Sequence, residues 1–87
     1  MIIKNSPGTI SSYKMWSLDP TLTMNDIKAK LSGVVNLGRS GDGKSTNTWK
    51  FIADGKECSI WDYKGVRWSG YGPKEVFVEL GFLAVNV

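Results

Sequence analysis

The chain has 87 residues, which is one small domain, 1–87, with no length left for a second. It has no histidine and one cysteine, so the usual general base near neutral pH, Ser-His and Cys-His nucleophile pairs, an internal disulfide and a cysteine-rich zinc site are all excluded. The net charge of +3 permits an anionic partner without demanding one.

Met1-Ile2-Ile3 gives way at once to Lys4, Asn5 and Pro7, unlike a secretory signal, and the expected location is the cytoplasm. Ser6-Pro7-Gly8 is a turn signal. After it, Ile10, Lys14, Trp16 and Leu18 alternate with Tyr13 and Met15 as in one edge strand, which Asp19-Pro20 ends. Thr23 is a good N-cap and Asp26 suits the first turn of a helix. Met24, Ile27 and Leu31 then recur at helical spacing, and Ser32-Gly33 supplies a stop, so the pattern predicts a helix over 24–32. Val34, Val35 and Leu37 read as a brief strand.

Residues 38–46 are rich in Gly, Ser and Asp and read as a loop. Residues 47–53 and 56–64 flank Asp54-Gly55, a dipeptide suited to a two-residue hairpin turn. That turn pairs Ala53 with Lys56, Phe51 with Cys58, Trp49 with Ile60 and Asn47 with Asp62. Trp49, Phe51, Cys58 and Ile60 then share the core face, with Asp62 and Lys64 on that side at the strand's end. Thr48, Lys50, Ile52, Trp61 and Tyr63 share the other face.

Residues 65–72 read as a flexible turn with one Arg between two large aromatics. Pro73-Lys74-Glu75 opens a helix over 73–80, with Val76, Phe77 and Leu80 as its apolar stripe and Gly81 as its end. The rival reading there is a strand. Phe82 to Val87 is a last short strand or a packed tail. The predicted fold is α+β, a small antiparallel sheet built on a central β-hairpin (about 47–64) with two short helices (about 24–32 and 73–80) packed on one face.

Three of the four tryptophans and both arginines fall between Gly38 and Gly72, a mixture suited to binding flat anionic ligands. Gly38 to Ser45 matches the phosphate-loop pattern GxxxxGK[ST], yet such a loop must open a helix, and 47–53 reads as strand. Gly41, Gly43, Lys44 and Ser45 remain a candidate anion cradle through backbone N–H groups and one ammonium. Trp61 and Tyr63 supply outward rings, Lys64 and Arg67 supply cations, and Trp68 and Tyr71 offer further stacking surface, with glycines that let the backbone approach a ligand. Asp62 either orients a neighbour, accepts from a base, or forms a structural ion pair. No catalytic residue, metal ligand or cofactor is expected.

Gly41-Asp42-Gly43-Lys44, Trp49 and Ile60-Trp61-Asp62-Tyr63-Lys64, read in order, resemble a family of small bacteriophage proteins. Their pattern is a Gly-Asp-Gly-Lys loop, a Trp strand and an Ile-Tyr-Asp-Trp-Lys partner strand, here with the two aromatics exchanged. The resemblance covers about residues 41–73. It implies an anti-defence protein that sequesters a nucleotide signal or blocks a host protein. The expected function is therefore a non-enzymatic, oligomeric sponge for a phosphate-bearing nucleotide in the host cytoplasm. The alternatives are a single-stranded nucleic-acid binder and an inhibitor that docks on a host defence protein through its aromatic face.

Overall fold

The computed structural model describes residues 1–6, 13–38, 45–63 and 67–86. The elements in chain order are β1 (Ile3–Asn5), β2 (Trp16–Ser17), α1 (Met24–Lys30), β3 (Thr48–Ala53), β4 (Lys56–Tyr63), β5 (Arg67–Tyr71) and α2 (Lys74–Leu80). The strands form one five-stranded sheet in the order β1-β3-β4-β5-β2, with every neighbouring pair antiparallel. The fold is α+β, as the sequence predicts.

The hairpin sets the frame. Asp54 and Gly55 take φ of 50° and 80°, the pair of positive values that a type I′ turn requires. The resulting register places Trp49 against Ile60, Phe51 against Cys58 and Ala53 against Lys56. Asp54 also anchors the neighbouring edge, since its Oδ1 accepts the Ile2 N–H at 2.7 Å and its own N–H donates to the Ile2 carbonyl.

Helix α1 starts at a reciprocal capping box: Thr23 Oγ1 accepts the Asp26 N–H at 3.2 Å, and Asp26 Oδ2 accepts the Thr23 N–H at 2.8 Å. It ends at Lys30, two residues short of the predicted limit, with Leu31 as its C-cap directly before Ser32-Gly33. Helix α2 forms where a strand was the rival reading, and it closes on Gly81 in the left-handed conformation. Ile27, Leu31, Val76, Phe77 and Leu80 join Trp49, Phe51, Cys58 and Ile60 in one buried cluster. Both helices therefore cover the same face of the sheet, the one that alternation along β3 and β4 assigns to the core.

Three expectations change. Residues 67–71 form a strand rather than a loop, because β5 pairs along β4 from Tyr63–Arg67 to Ser59–Tyr71; residues 64–66 lie outside the described part. The first twenty residues provide both sheet edges, β1 beside β3 and a two-residue β2 beside β5, where one longer edge strand was expected. Val34 to Leu37 contributes only an isolated bridge, Asn36 to Trp49. Of the two readings of the C-terminal stretch, the tail is the one observed: Phe82 and Leu83 are buried, the Phe82 carbonyl accepts the Asp19 N–H at 2.9 Å, and residues 84–86 are exposed.

Candidate functional site

Period-two alternation fixes which side chains can meet on the face away from the helices. Along β4 they are Ser59, Trp61 and Tyr63, and opposite them on β5 stand Tyr71, Ser69 and Arg67. Tyr63 and Arg67 are directly cross-strand, close enough for ring and guanidinium to lie side by side. At this end of the sheet, Lys14, Trp61, Tyr63, Arg67 and Ser69 line a pocket of about 340 Å³.

Lys14 reaches the pocket because the chain before β2 is fastened alongside β5. The Met15 N–H donates to the Gly70 carbonyl at 2.9 Å, and the Trp16 indole N–H donates to the Gly72 carbonyl at 2.8 Å. Sequence reading placed Lys14 only in an alternating strand. The signal that could have recruited it is the antiparallel pairing of Trp16 with Gly70, which lies beyond the reach of local pattern.

The pocket's chemistry is one-signed. Among the described residues it is lined by two cations, Lys14 and Arg67, and by no carboxylate. Neither cation forms an ion pair among the described residues. The two rings differ in access. Trp61 is only 7% exposed and acts as a wall, whereas Tyr63 is 44% exposed and presents its ring to solvent. The pocket suits an anion joined to a flat ring.

The other site residues proposed from sequence fall elsewhere. Gly41, Gly43, Lys44 and Lys64 lie outside the described residues. Ser45 is half-buried. Tyr71 is on the pocket's face but opposite Ser59, farther along β5 than Arg67, and does not line the pocket.

Trp68 faces the core side. Its indole N–H donates to the Leu22 carbonyl at 2.9 Å, and its ring lies 5.8 Å from that of Trp49 at an interplanar angle of 46°. It is not an outward partner of Trp61, because alternation along β5 sends Arg67 and Trp68 to opposite faces. The glycines beside it serve packing rather than ligand approach. A Cβ on Gly70 would sit 3.1 Å from the Phe77 ring, and one on Gly72, at φ 132°, would sit 2.8 Å from Cys58 Sγ.

Asp62 is buried and belongs to the core side, and its partners among the described residues are amides, while Lys64 lies outside those residues. Oδ1 accepts the Thr46 N–H at 2.9 Å and the Asn47 N–H at 2.7 Å, while Asn47 Nδ2 donates to Oδ2 at 3.4 Å. Asn47 Oδ1 in turn accepts from Asn36 Nδ2 at 2.8 Å, and Asn36 Oδ1 accepts the N–H groups of Gly38 at 2.8 Å and Thr48 at 3.2 Å. This chain of side chains binds residue 38 and residue 46 to the same end of β3 and β4. Asp62 thus holds the backbone that leads into β3.

Burial pushes the Cys58 thiol up to about 11, the opposite of what an activated nucleophile needs. Among the described residues no three His, Cys, Asp or Glu side chains gather as a metal site, and no helix is long and apolar enough to cross a membrane.

No protein-family model, curated protein or solved structure matches this chain. The chemistry of the site therefore rests on its own geometry.

Proposed function

We propose that this chain is a non-enzymatic binding protein that sequesters a phosphate-bearing nucleotide. One observation carries the proposal: Lys14 and Arg67, with no ion-pair partner among the described residues, share a pocket of about 340 Å³ with Trp61 and Tyr63. Two cations with no carboxylate among the described lining residues attract a phosphate, and a cation beside an aromatic ring favours a planar base over an aliphatic anion. A volume of this size matches the lower end of small-molecule pockets and holds part of a nucleotide rather than a macromolecular surface.

Binding rather than turnover follows from what the sequence offers. The chain lacks histidine, its cysteine is a buried thiol, and Asp62 is committed to backbone amides. The resemblance to small phage proteins extends the proposal to a sponge for a host defence signal in the host cytoplasm. Self-association through the helix-free face of the sheet belongs to the same proposal.

Isothermal titration calorimetry with nucleoside monophosphates, the matching nucleosides and inorganic phosphate tests the reading. The expected order is nucleotide tightest, with phosphate and nucleoside each at least tenfold weaker, and the nucleotide recovered chemically intact. Heats indistinguishable from dilution across the whole set would sink it.

A further inference from the structure

Arg67 borders a second recess. On one side it lines the pocket with Lys14, Trp61, Tyr63 and Ser69; on the other it lines a groove of about 340 Å³ with Ser17, Leu18, Pro20 and Trp68. The two recesses are of equal size and have the Arg67 side chain as their shared wall. Their walls repeat one arrangement. The first has Trp61 and Tyr63 beside the guanidinium, and the second has Trp68 and Pro20 beside it. Among the described residues Arg67 is the only charged one lining the second groove.

The second groove is preorganised. The Trp68 indole cannot turn away without losing its hydrogen bond to the Leu22 carbonyl and its packing on Trp49. Leu18, buried at its base, is pinned by the bond from its N–H to the Trp68 carbonyl at 3.0 Å. A rigid apolar wall next to a cation costs little ordering when a flat ring settles on it.

Arg67 and Trp68 leave β5 on opposite faces, and Arg67 is the described residue that both recesses share, so the order across it is Trp61 and Tyr63, then Arg67, then Trp68 and Pro20. A ligand complementary to that order has two ring-bearing ends and its negative charge in the middle. We infer that the site takes a free dinucleotide: two nucleosides joined through phosphate, with the bridge at Arg67, one base against Tyr63 and Trp61, and the other against Trp68 and Pro20. Lys14, on the first pocket's side alone, assists the phosphate from there. This inference rests on the nucleotide reading above and narrows it to a ligand class. A mononucleotide fills one recess and leaves the other to water.

The test is calorimetry on the full chain with adenosine and guanosine monophosphates, the corresponding dinucleoside diphosphates, and oligonucleotides of two, four and eight residues. The second stacked base should tighten the dinucleotide over the mononucleotide by roughly ten- to a hundredfold. Pro20→Ala removes part of the second wall from an exposed position, and it should weaken the dinucleotide several-fold while leaving the mononucleotide unchanged. Pro20→Ser, which puts a hydroxyl where the apolar ring stood, should do the same.

Equal affinities for the one- and two-base ligands, or a dinucleotide indifferent to both substitutions, would overturn the inference while the nucleotide reading stands. Affinity that keeps rising from two to eight residues and falls steeply with salt would overturn it in favour of a single strand. Silence from every ligand removes the nucleotide reading, and the inference with it.

Discussion

Asp62 Oδ1 accepts the Asn47 backbone N–H at 2.7 Å, and this bond closes the chain in front of β3 onto the end of β4. The same oxygen takes the Thr46 N–H, so one buried carboxylate satisfies two amides that would otherwise be left unpaired. Charge-assisted bonds to amides are strong, and removing their acceptor leaves the desolvation cost behind. Asp62→Ala should cost about 3 kcal/mol in urea denaturation, and Asp62→Asn, which keeps one acceptor oxygen, about 1 kcal/mol. An Asp62→Ala protein with an unchanged urea midpoint would contradict this account.

The pocket's two rings should separate in their effects. Trp61 is a buried wall, so Trp61→Ala should lower stability by roughly 3–5 kcal/mol, and any accompanying loss of binding then has two causes. Tyr63 is exposed, so Tyr63→Ala should lower nucleotide affinity about tenfold and shift stability by less than about 1 kcal/mol. Lys14→Ala and Arg67→Ala should behave like Tyr63→Ala, within about 0.5 kcal/mol of wild-type stability. Thermal unfolding run beside calorimetry checks all four. Full retention of affinity in both cation variants would show that the pocket does not hold the phosphate.

Gly72 combines φ of 132° with a neighbour, Cys58 Sγ, 2.8 Å from where a Cβ would stand, and the Glu57 carbonyl oxygen is 3.0 Å away. Gly72→Ala should therefore cost roughly 2–4 kcal/mol from backbone strain and overlap together. Gly33 has open space around it and no positive φ, so Gly33→Ala serves as the neutral comparison. Equal denaturation midpoints for the two variants would remove the argument.

The Cys58 thiol gives a pH signature. Burial raises it from 9.0 to about 11, so the folded protein binds the proton more tightly than the unfolded chain does. This contribution to stability is whole below pH 9 and disappears as pH rises from 9 towards 11. Unfolding midpoints measured across that window should fall more steeply for wild type than for Cys58→Ala. At pH 8 the folded thiol should resist alkylation and become reactive only in denaturant.

Local signals carried the hairpin and both helices. Asp54-Gly55 dictates the turn, alternation dictates the faces, and Thr23 with Asp26 or Pro73 with Gly81 marks where a helix begins or ends. Strand β5 was illegible because Trp68-Ser69-Gly70-Tyr71-Gly72 looks like a loop when read alone. Gly70 is there to admit the Phe77 ring and Gly72 to admit Cys58, contacts between residues that are distant in sequence or on another element. The facing of Trp68 was hidden for the same cause, since the parity of β5 relative to β4 depends on the turn between them. In the site, Trp61, Tyr63 and Arg67 were visible as interleaved aromatics and cations. Lys14 was not, because only sheet pairing carries it there.

The two margins of the sheet have an implication for how the chain reaches its native state. The Ile2 N–H finds its acceptor on Asp54, 52 residues away, and the Trp16 indole finds its acceptor on Gly72, 56 residues away. Both segments leave the ribosome long before anything exists for them to pair with. Until β3 and β5 are made, they wait without partners, and each long closure must occur before its contacts stabilise anything. Folding should therefore be late and all at once rather than progressive. A shortened chain lacking the first seventeen residues would leave β3 and β5 with open hydrogen-bonding margins, the kind of surface on which strands from other molecules assemble.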